Sequence, residues 1–166
     1  MSDPAEPFDL YALDEYRVIG HSTRGQCHGN PSLVHAVAHV LVSDRQGRIL
    51  LQLRSASKDI QPGKWDTSVG GHLLPGEEPE TGARREMIEE LGVIPAELIF
   101  IHRFLMQSPQ ETEWVSTFST IHEGPFSPDS TEIDELRFWA PDEIVPALGT
   151  GRLTPAFEDE FSRLFI

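Results

Sequence analysis

Along most of the chain, apolar residues come in short runs separated by turn formers, a pattern of strands, and three stretches carry helical spacing instead. Leu33 to Val42 is apolar and rich in valine, Ser43 to Gly47 reads as a turn, and Ile49 to Leu53 is a second apolar run, so a hairpin is expected. Trp65 to Val69 predicts a short strand running into Gly70-Gly71. Glu97 to Met106 and Glu113 to His122 predict two more, followed by a loop through Asp129 and a further strand at Leu136 to Ala140. Tyr16 to Gly20 is the candidate first strand. Residues 1–13 read as a flexible leader, which leaves 14–166 as one domain.

The helical stretches are 79–91, Pro141 to Leu148 and Thr154 to Phe165. In the last, Phe157, Phe161 and Leu164 form an apolar stripe expected to fill core. The first is the most informative. Pro79 suits the first helical position, Glu78 and Glu80 complement the positive end of the dipole, and Gly92 can supply a left-handed stop. Ala83, Met87 and Leu91 then stack on one face, with Arg85, Glu86, Glu89 and Glu90 on the opposite arc. Three glutamates at i, i+3 and i+4 repel one another in the turns where the dipole favours cations, and no Lys lies on the helix to relieve them. A solvated acidic face usually alternates signs. A cation is missing from this one, and Mg²⁺ fits because it binds through a few carboxylates, water and substrate phosphate.

Composition narrows the partners. Asp and Glu outnumber Lys and Arg by 27 to 13, a net charge of -14, which repels nucleic acid and anionic membrane at long range. Small phosphorylated substrates stay admissible, because a bound divalent cation reverses the local field. Cys27 is the only cysteine, so no internal disulfide or CxxC motif exists, and a reducing cytoplasm is the expected setting. The amino-terminal stretch MSDPAEPFDLYALDEYR lacks the basic and apolar regions of a signal peptide, and no apolar run reaches the length of a membrane span. Oligomeric state stays open, with a homodimer the commonest arrangement for soluble assemblies.

The stretch GHLLPGEEPETGARREMIEELGV, Gly71 to Val93, resembles the signature box of the Nudix hydrolases. Gly71, Glu77, Arg85, Glu86, Met87, Glu89, Glu90, Gly92 and Val93 meet every defined position, an agreement with a chance on the order of 10⁻⁹ per register at average residue frequencies. The resemblance implies an α/β fold, an α/β/α sandwich with a mixed sheet and a loop-helix-loop that holds divalent metal, Mg²⁺ or Mn²⁺. By the same resemblance Glu86 and Glu90 are metal ligands, Glu89 is a third ligand or the base for water, and Gly71 offers its carbonyl. Arg85 and Glu77 orient the carboxylates, since Arg can hold a carboxylate through a bidentate pair. A downstream acid also joins the metal in many such enzymes, and Glu132 is the candidate, with Asp134 and Glu135 close by.

Outside the box, HAVAHVLVSDRQGRILLQLRSASKDIQPGKWDTSVGGH resembles the corresponding part of isopentenyl diphosphate isomerases. That likeness places Arg54 and Lys58 where the isomerases bind diphosphate, and His28, His35 and His72 where they bind a second metal. Imidazole ligands would favour Mn²⁺ or Zn²⁺ over Mg²⁺. Two departures oppose isomerisation: Gly70 stands where the isomerases use a cysteine, and the box, degraded in them, is intact here. The combination resembles an isomerase-like subgroup of bacterial Nudix hydrolases. The function expected is metal-dependent hydrolysis of a diphosphate linkage in a small nucleoside-diphosphate-type substrate, with isomerisation or non-catalytic ligand binding as the alternatives. Neither Cys27 nor Ser55, Ser57 or Ser68 is needed as a nucleophile. Trp65, Phe104, Trp114 and Phe118 either stack on a base or fill core, and core is expected for at least two.

Overall fold

The computed structural model describes residues 3–166 and is built around β3 (Val34–Ser43), a strand buried on both faces. Side chains alternate along it. Val34, Ala36, Ala38, Val40 and Val42 pack with α2 (Pro79–Leu91), whereas Val37 and Leu41 belong to the opposite face, and His35 and His39 share their parity. A strand covered on both sides reads as a near-continuous apolar run, which is why Leu33 to Val42 stood out in the sequence.

β3 meets β4 (Ile49–Arg54) only at the Ser43–Ile49 pair, beside the turn closed by Gly47 at φ 80°. The expected hairpin therefore opens out. β3 pairs in parallel with β8 (Thr112–Ile121) and antiparallel with β6 (Val69–His72). β4 pairs with β5 (Trp65–Asp66) and β9 (Ile133–Trp139), and β7 (Ile99–Gln107) completes the far edge against β8. This divergence splits the mixed sheet and makes room for the site.

Helix α2 keeps the boundaries its sequence predicts, with Pro79 in the first turn and Gly92 at φ 67° closing the last. Ala83, Met87 and Leu91 are fully buried on one face of the sheet. α4 (Pro155–Phe165) covers the other face, its Thr154 hydroxyl accepting from the Phe157 amide, and Phe157 and Phe161 pack with Leu41, Leu51 and Trp139. The layers are thus helix, sheet, helix. The 141–148 helix is shorter than expected, with α3 (Pro141–Ile144) giving way to a 3-10 turn at Val145–Ala147. Among the described residues no helix is long and apolar enough to cross a membrane.

The leader expected over 1–13, whose first two residues lie outside the described ones, contains β1 (Pro7–Tyr11) instead. β1 pairs with β2 (Val18–Thr23), a strand that starts two residues later than expected. The reason is burial: Phe8 is 2% exposed and stacks on the rings of His35 and His72 at 5.1 and 4.7 Å. Asp9 accepts a hydrogen bond from the Gly76 amide at 2.8 Å, tying the strand to the loop before α2. Between β5 and β6 the expected single strand 65–69 is likewise broken, because each half pairs with a different neighbour.

Candidate functional site

A cleft of about 1080 Å³ opens where β3 and β4 part, lined by β6, the C-terminal half of α2, the β7–β8 turn and the start of α4. On its α2 side the sheet approaches closely enough that a Cβ on Gly71 would collide with the Glu86 carboxylate. Any other residue at 71 would displace that group. Glu86 and Glu90 point into the cleft one turn apart, and Glu90 accepts from Gln52 Nε2 at 2.9 Å with the Gly70 backbone amide beside it. Burial, then the neighbouring Glu86 charge, pushes Glu90 up to about 8. Burial also raises Glu86, against the opposing pull of Arg85. Glu89 stands in the same cleft and is the more exposed group.

Arg85 does not line the cleft. Its guanidinium grips both oxygens of Glu77 at 2.9 Å, donates to the His72 carbonyl at 3.0 Å and to Glu86 at 2.6 Å, and reaches Glu89 at 3.3 Å. Glu77 in turn accepts from the Leu74 amide at 2.9 Å. The pair therefore clamps the loop before α2 onto the helix and fixes the Glu86 rotamer.

The second cluster lies on the face of β3 and β6 turned away from α2. His28, His35 and His72 converge with Glu111, each offering a ligand atom within 4.8 Å of the others. His28 Nε2 and His72 Nε2 are 3.2 Å apart. Among the described residues both ring nitrogens of buried His35 lack a well-directed hydrogen bond, although Nε2 is 3.2 Å from a Glu113 oxygen. Buried polar atoms without partners are uncommon in native structures and point to an absent ligand. Burial, then Arg24, lowers His28 to about 4, and burial lowers His72 as well, so these rings are neutral at neutral pH, with Arg24 donating to His72 Nδ1 at 3.1 Å. Burial raises Glu113, but His35 first and then His72 and His39 outweigh it and hold the carboxyl at about 2. Burial and the Glu113 charge lift Glu111 to about 7. Neutral imidazoles beside one firmly ionised carboxylate are a donor set suited to a borderline divalent metal.

The remaining expected residues reach the cleft already paired. Arg54 donates to the Ile60 carbonyl at 2.8 and 3.1 Å and to Asp66 at 3.4 Å. Lys58 forms an ion pair with Glu132, which shares the cleft rim with it. Of the four aromatic candidates, Phe104 and Phe118 are buried and Trp114 donates to the Ala12 carbonyl at 2.9 Å. Neither these nor any other Phe, Tyr or Trp lines the cleft among the described residues. Sequence reasoning missed Gln52, Glu111, Glu113 and His39. Glu111 and Glu113 had a signal: acids at i and i+2 at the start of a predicted apolar strand project to one side of it.

The NUDIX domain family matches residues 33–159. An uncharacterized Nudix hydrolase of Yersinia pestis is 36% identical over 132 residues, 80% of this chain and 72% of the relative. An isopentenyl-diphosphate Delta-isomerase of Streptomyces avermitilis is 33% identical over 148 residues, 85% of this chain and 75% of that one. In structure, a Deinococcus radiodurans protein superposes with a TM-score of 0.82 at 21% identity, over 97% of this chain and all of the other. A MutT protein of Methanosarcina mazei gives 0.67 at 23% identity, over 81% and 93%.

Proposed function

The chain belongs to the Nudix family of hydrolases acting on phosphorus-containing acid anhydrides, and from that membership we propose that it cleaves a small nucleoside-diphosphate-type substrate with Mg²⁺ or Mn²⁺ held by Glu86, Glu89 and Glu90. The observation that carries this reading is the Glu86–Glu90 pair under Gly71, like charges crowded at a cleft with the Glu90 proton affinity raised. Such a pair is relieved by a divalent cation. When bound, the cation supplies Lewis acidity toward the diphosphate and acidifies water.

The chain's own groups divide the remaining work. Glu86 and Glu90, with the Gly71 carbonyl, would hold the cation, and Glu89, exposed and held among the described residues by a long contact to Arg85, would complete that set or take a proton from water. Arg85 and Glu77 keep the carboxylates in place. Arg54 and Lys58 bind the diphosphate, Lys58 exchanging Glu132 for substrate. With no aromatic lining among the described residues, selection falls on the diphosphate more than on a stacked base. Homodimer formation is compatible with this reading, and the lone buried thiol of Cys27 suits a cytoplasmic setting.

The imidazole cluster and the Streptomyces relative favour one rival, isomerisation of isopentenyl diphosphate. Gly70 opposes it, because a glycine can neither donate nor accept a side-chain proton. Hydrolysis of a nucleotide panel in ¹⁸O-labelled water separates the two. We expect phosphate or pyrophosphate release with label on one phosphorus-containing product. Conversion of isopentenyl to dimethylallyl diphosphate, seen by NMR with no phosphate released, overturns the hydrolase reading.

A further inference from the structure

His39 and Glu160 form a buried pair that the reading above leaves unused. Glu160 sits on α4 with no exposed side-chain surface, where it accepts from the Thr117 hydroxyl at 2.6 Å and meets His39 Nδ1 at 3.2 Å. A carboxylate this far from water is tolerated only when it is paired and hydrogen-bonded. His39 provides the pairing. Burial opposes charge on its ring, but Glu160 more than compensates and holds it at about 9, so the imidazolium persists at neutral pH.

Anchoring through Nδ1 fixes where the other end of the ring points. His39 pairs in register with Gly70 on β6, and a Cβ on Gly70 would lie 3.3 Å from His39 Nε2 and 3.2 Å from Cδ2. The bare backbone of Gly70 thus leaves the space the ring edge occupies. The backbone amide of Gly70 lowers the proton affinity of Glu90, so this one residue neighbours both the ring edge and the carboxylate. His39 also lines the cleft, and Nε2 has no hydrogen-bond partner among the described residues.

The other cations of the cleft are committed. Arg24 contacts Glu6 at 3.4 Å, Arg54 contacts Asp66 at 3.4 Å, Lys58 is paired with Glu132, and Arg163 contacts Asp159 at 2.9 Å. Among the described residues His39 alone of these cations has its counter-ion behind it and its donor in front. We propose that His39 is a further substrate-binding residue, oriented by Glu160, whose Nε2–H donates to a non-bridging phosphoryl oxygen of the diphosphate beside Gly70. The proposal rests on the diphosphate reading of the cleft. Glu160 acts through His39 and is a positioning residue. A ring fixed at one end and unpartnered at the other costs little to organise when substrate arrives, which is the advantage of a preorganised donor.

The test uses inorganic pyrophosphate with Mg²⁺ on the whole chain, read by calorimetry and by ¹⁵N NMR of the histidine rings, alongside kcat and KM for a hydrolysed substrate. His39→Asn keeps a nitrogen near Nδ1 for Glu160 and removes the donor to the cleft. His39→Gln restores a nitrogen near Nε2. The double variant His39→Leu with Glu160→Leu removes both charges together, so no carboxylate is left buried alone. Expected are a tenfold or greater loss of pyrophosphate affinity and rise in KM for His39→Asn and the double variant, a smaller change in kcat, and recovery of most of the loss in His39→Gln. Wild-type affinity and KM in a folded His39→Asn or double variant overturn the proposal. Where no variant folds, the wild-type His39 Nε2 resonance decides, and its failure to move on adding pyrophosphate overturns it as well. A shift of that resonance in a protein that hydrolyses no phosphoanhydride sinks the functional reading and leaves this one standing.

Discussion

The two donor clusters share one cleft but are assembled in opposite ways. The glutamates come from a single helix turn, where spacing alone puts them together and where they repel one another and the helix dipole. The histidines come from the end of α1 (Arg24–Cys27), from β3 and from β6, joined by two acids from the β7–β8 turn and the start of β8, so only the folded sheet brings them together. Their proton chemistry differs accordingly. Glu90 is pushed up to about 8 by burial and by Glu86, whereas His28 is pushed down to about 4 by burial and by Arg24. Near neutrality, then, a metal bound at the helix would have to displace a proton from Glu90, and one bound at the histidines would displace none from His28.

The sharpest break in that comparison is charge removal at the helix. Glu86→Gln and Glu90→Gln each keep the side-chain volume and remove a carboxylate charge, and on the proposed reading each should lower turnover by roughly 10³-fold or more while the fold survives. Near-wild-type turnover at saturating Mg²⁺ in either variant would remove that residue from the site.

The next effect is in pH. A raised carboxyl pKa means that the site holds a proton below about pH 8, so Mg²⁺ affinity should fall about tenfold per unit as pH drops from 8 to 6, with about one proton released per ion bound. At the histidine cluster the Glu111 carboxyl, lifted to about 7, should give Zn²⁺ or Mn²⁺ binding its own fall below pH 7, so the helix site is set apart by losing affinity already between pH 8 and 7. The same shift has a stability sign: without metal, the folded state holds the Glu90 proton up to about 8 while the unfolded chain releases it near 4.5. Stability should therefore fall as pH rises between those values, and added Mg²⁺ should remove the fall. Calorimetry in buffers of different ionisation enthalpy measures the proton count. A Mg²⁺ affinity unchanged between pH 8 and 7 would show that the helix site is not proton-blocked.

How much of this was legible in the sequence follows from the same difference. α2 declared itself to the residue, because its cap, stop, apolar face and acidic arc are all local features. The layer order followed from the family resemblance. β1 did not show, since Phe8 and Asp9 gain their roles only from His35, His72 and Gly76, which lie far along the chain. The three histidines were found through the resemblance to the isomerases; Glu111 and Glu113 went unnoticed, though their spacing carried a hint. His39 and Glu160, 121 residues apart, had no sequence signal at all.

Removing one imidazole tests the second cluster at a smaller scale. His28→Ala leaves β3 and β6 untouched and should abolish one equivalent of bound Zn²⁺ or Mn²⁺ while changing Mg²⁺-supported turnover by about tenfold or less. Metal content after dialysis gives the stoichiometry. An unchanged equivalent count would mean that the histidines hold no metal.

The smallest expected effect concerns Glu132, which sequence reasoning offered as a ligand of the helix metal and which the structure pairs with Lys58. The two roles compete, because a carboxylate committed to an ammonium gives up part of its charge to it. The pair is partly exposed, at 21% and 35% of the two side chains, so it contributes only modestly to stability, about 1 kcal/mol or less. If Glu132 serves mainly to hold Lys58 at the rim, Glu132→Gln frees the ammonium for diphosphate, and the Mg²⁺ concentration for half-maximal rate should move by only about two- to threefold. KM for substrate should stay level or fall. If instead Glu132 leaves Lys58 and joins the metal, the same variant raises the Mg²⁺ requirement about tenfold or more, on the scale of a lost ligand contact. A Mg²⁺ titration of turnover on Glu132→Gln, with Glu135→Gln as the neighbouring control, distinguishes the two. We expect the small shift, since the geometry shows Glu132 turned to Lys58.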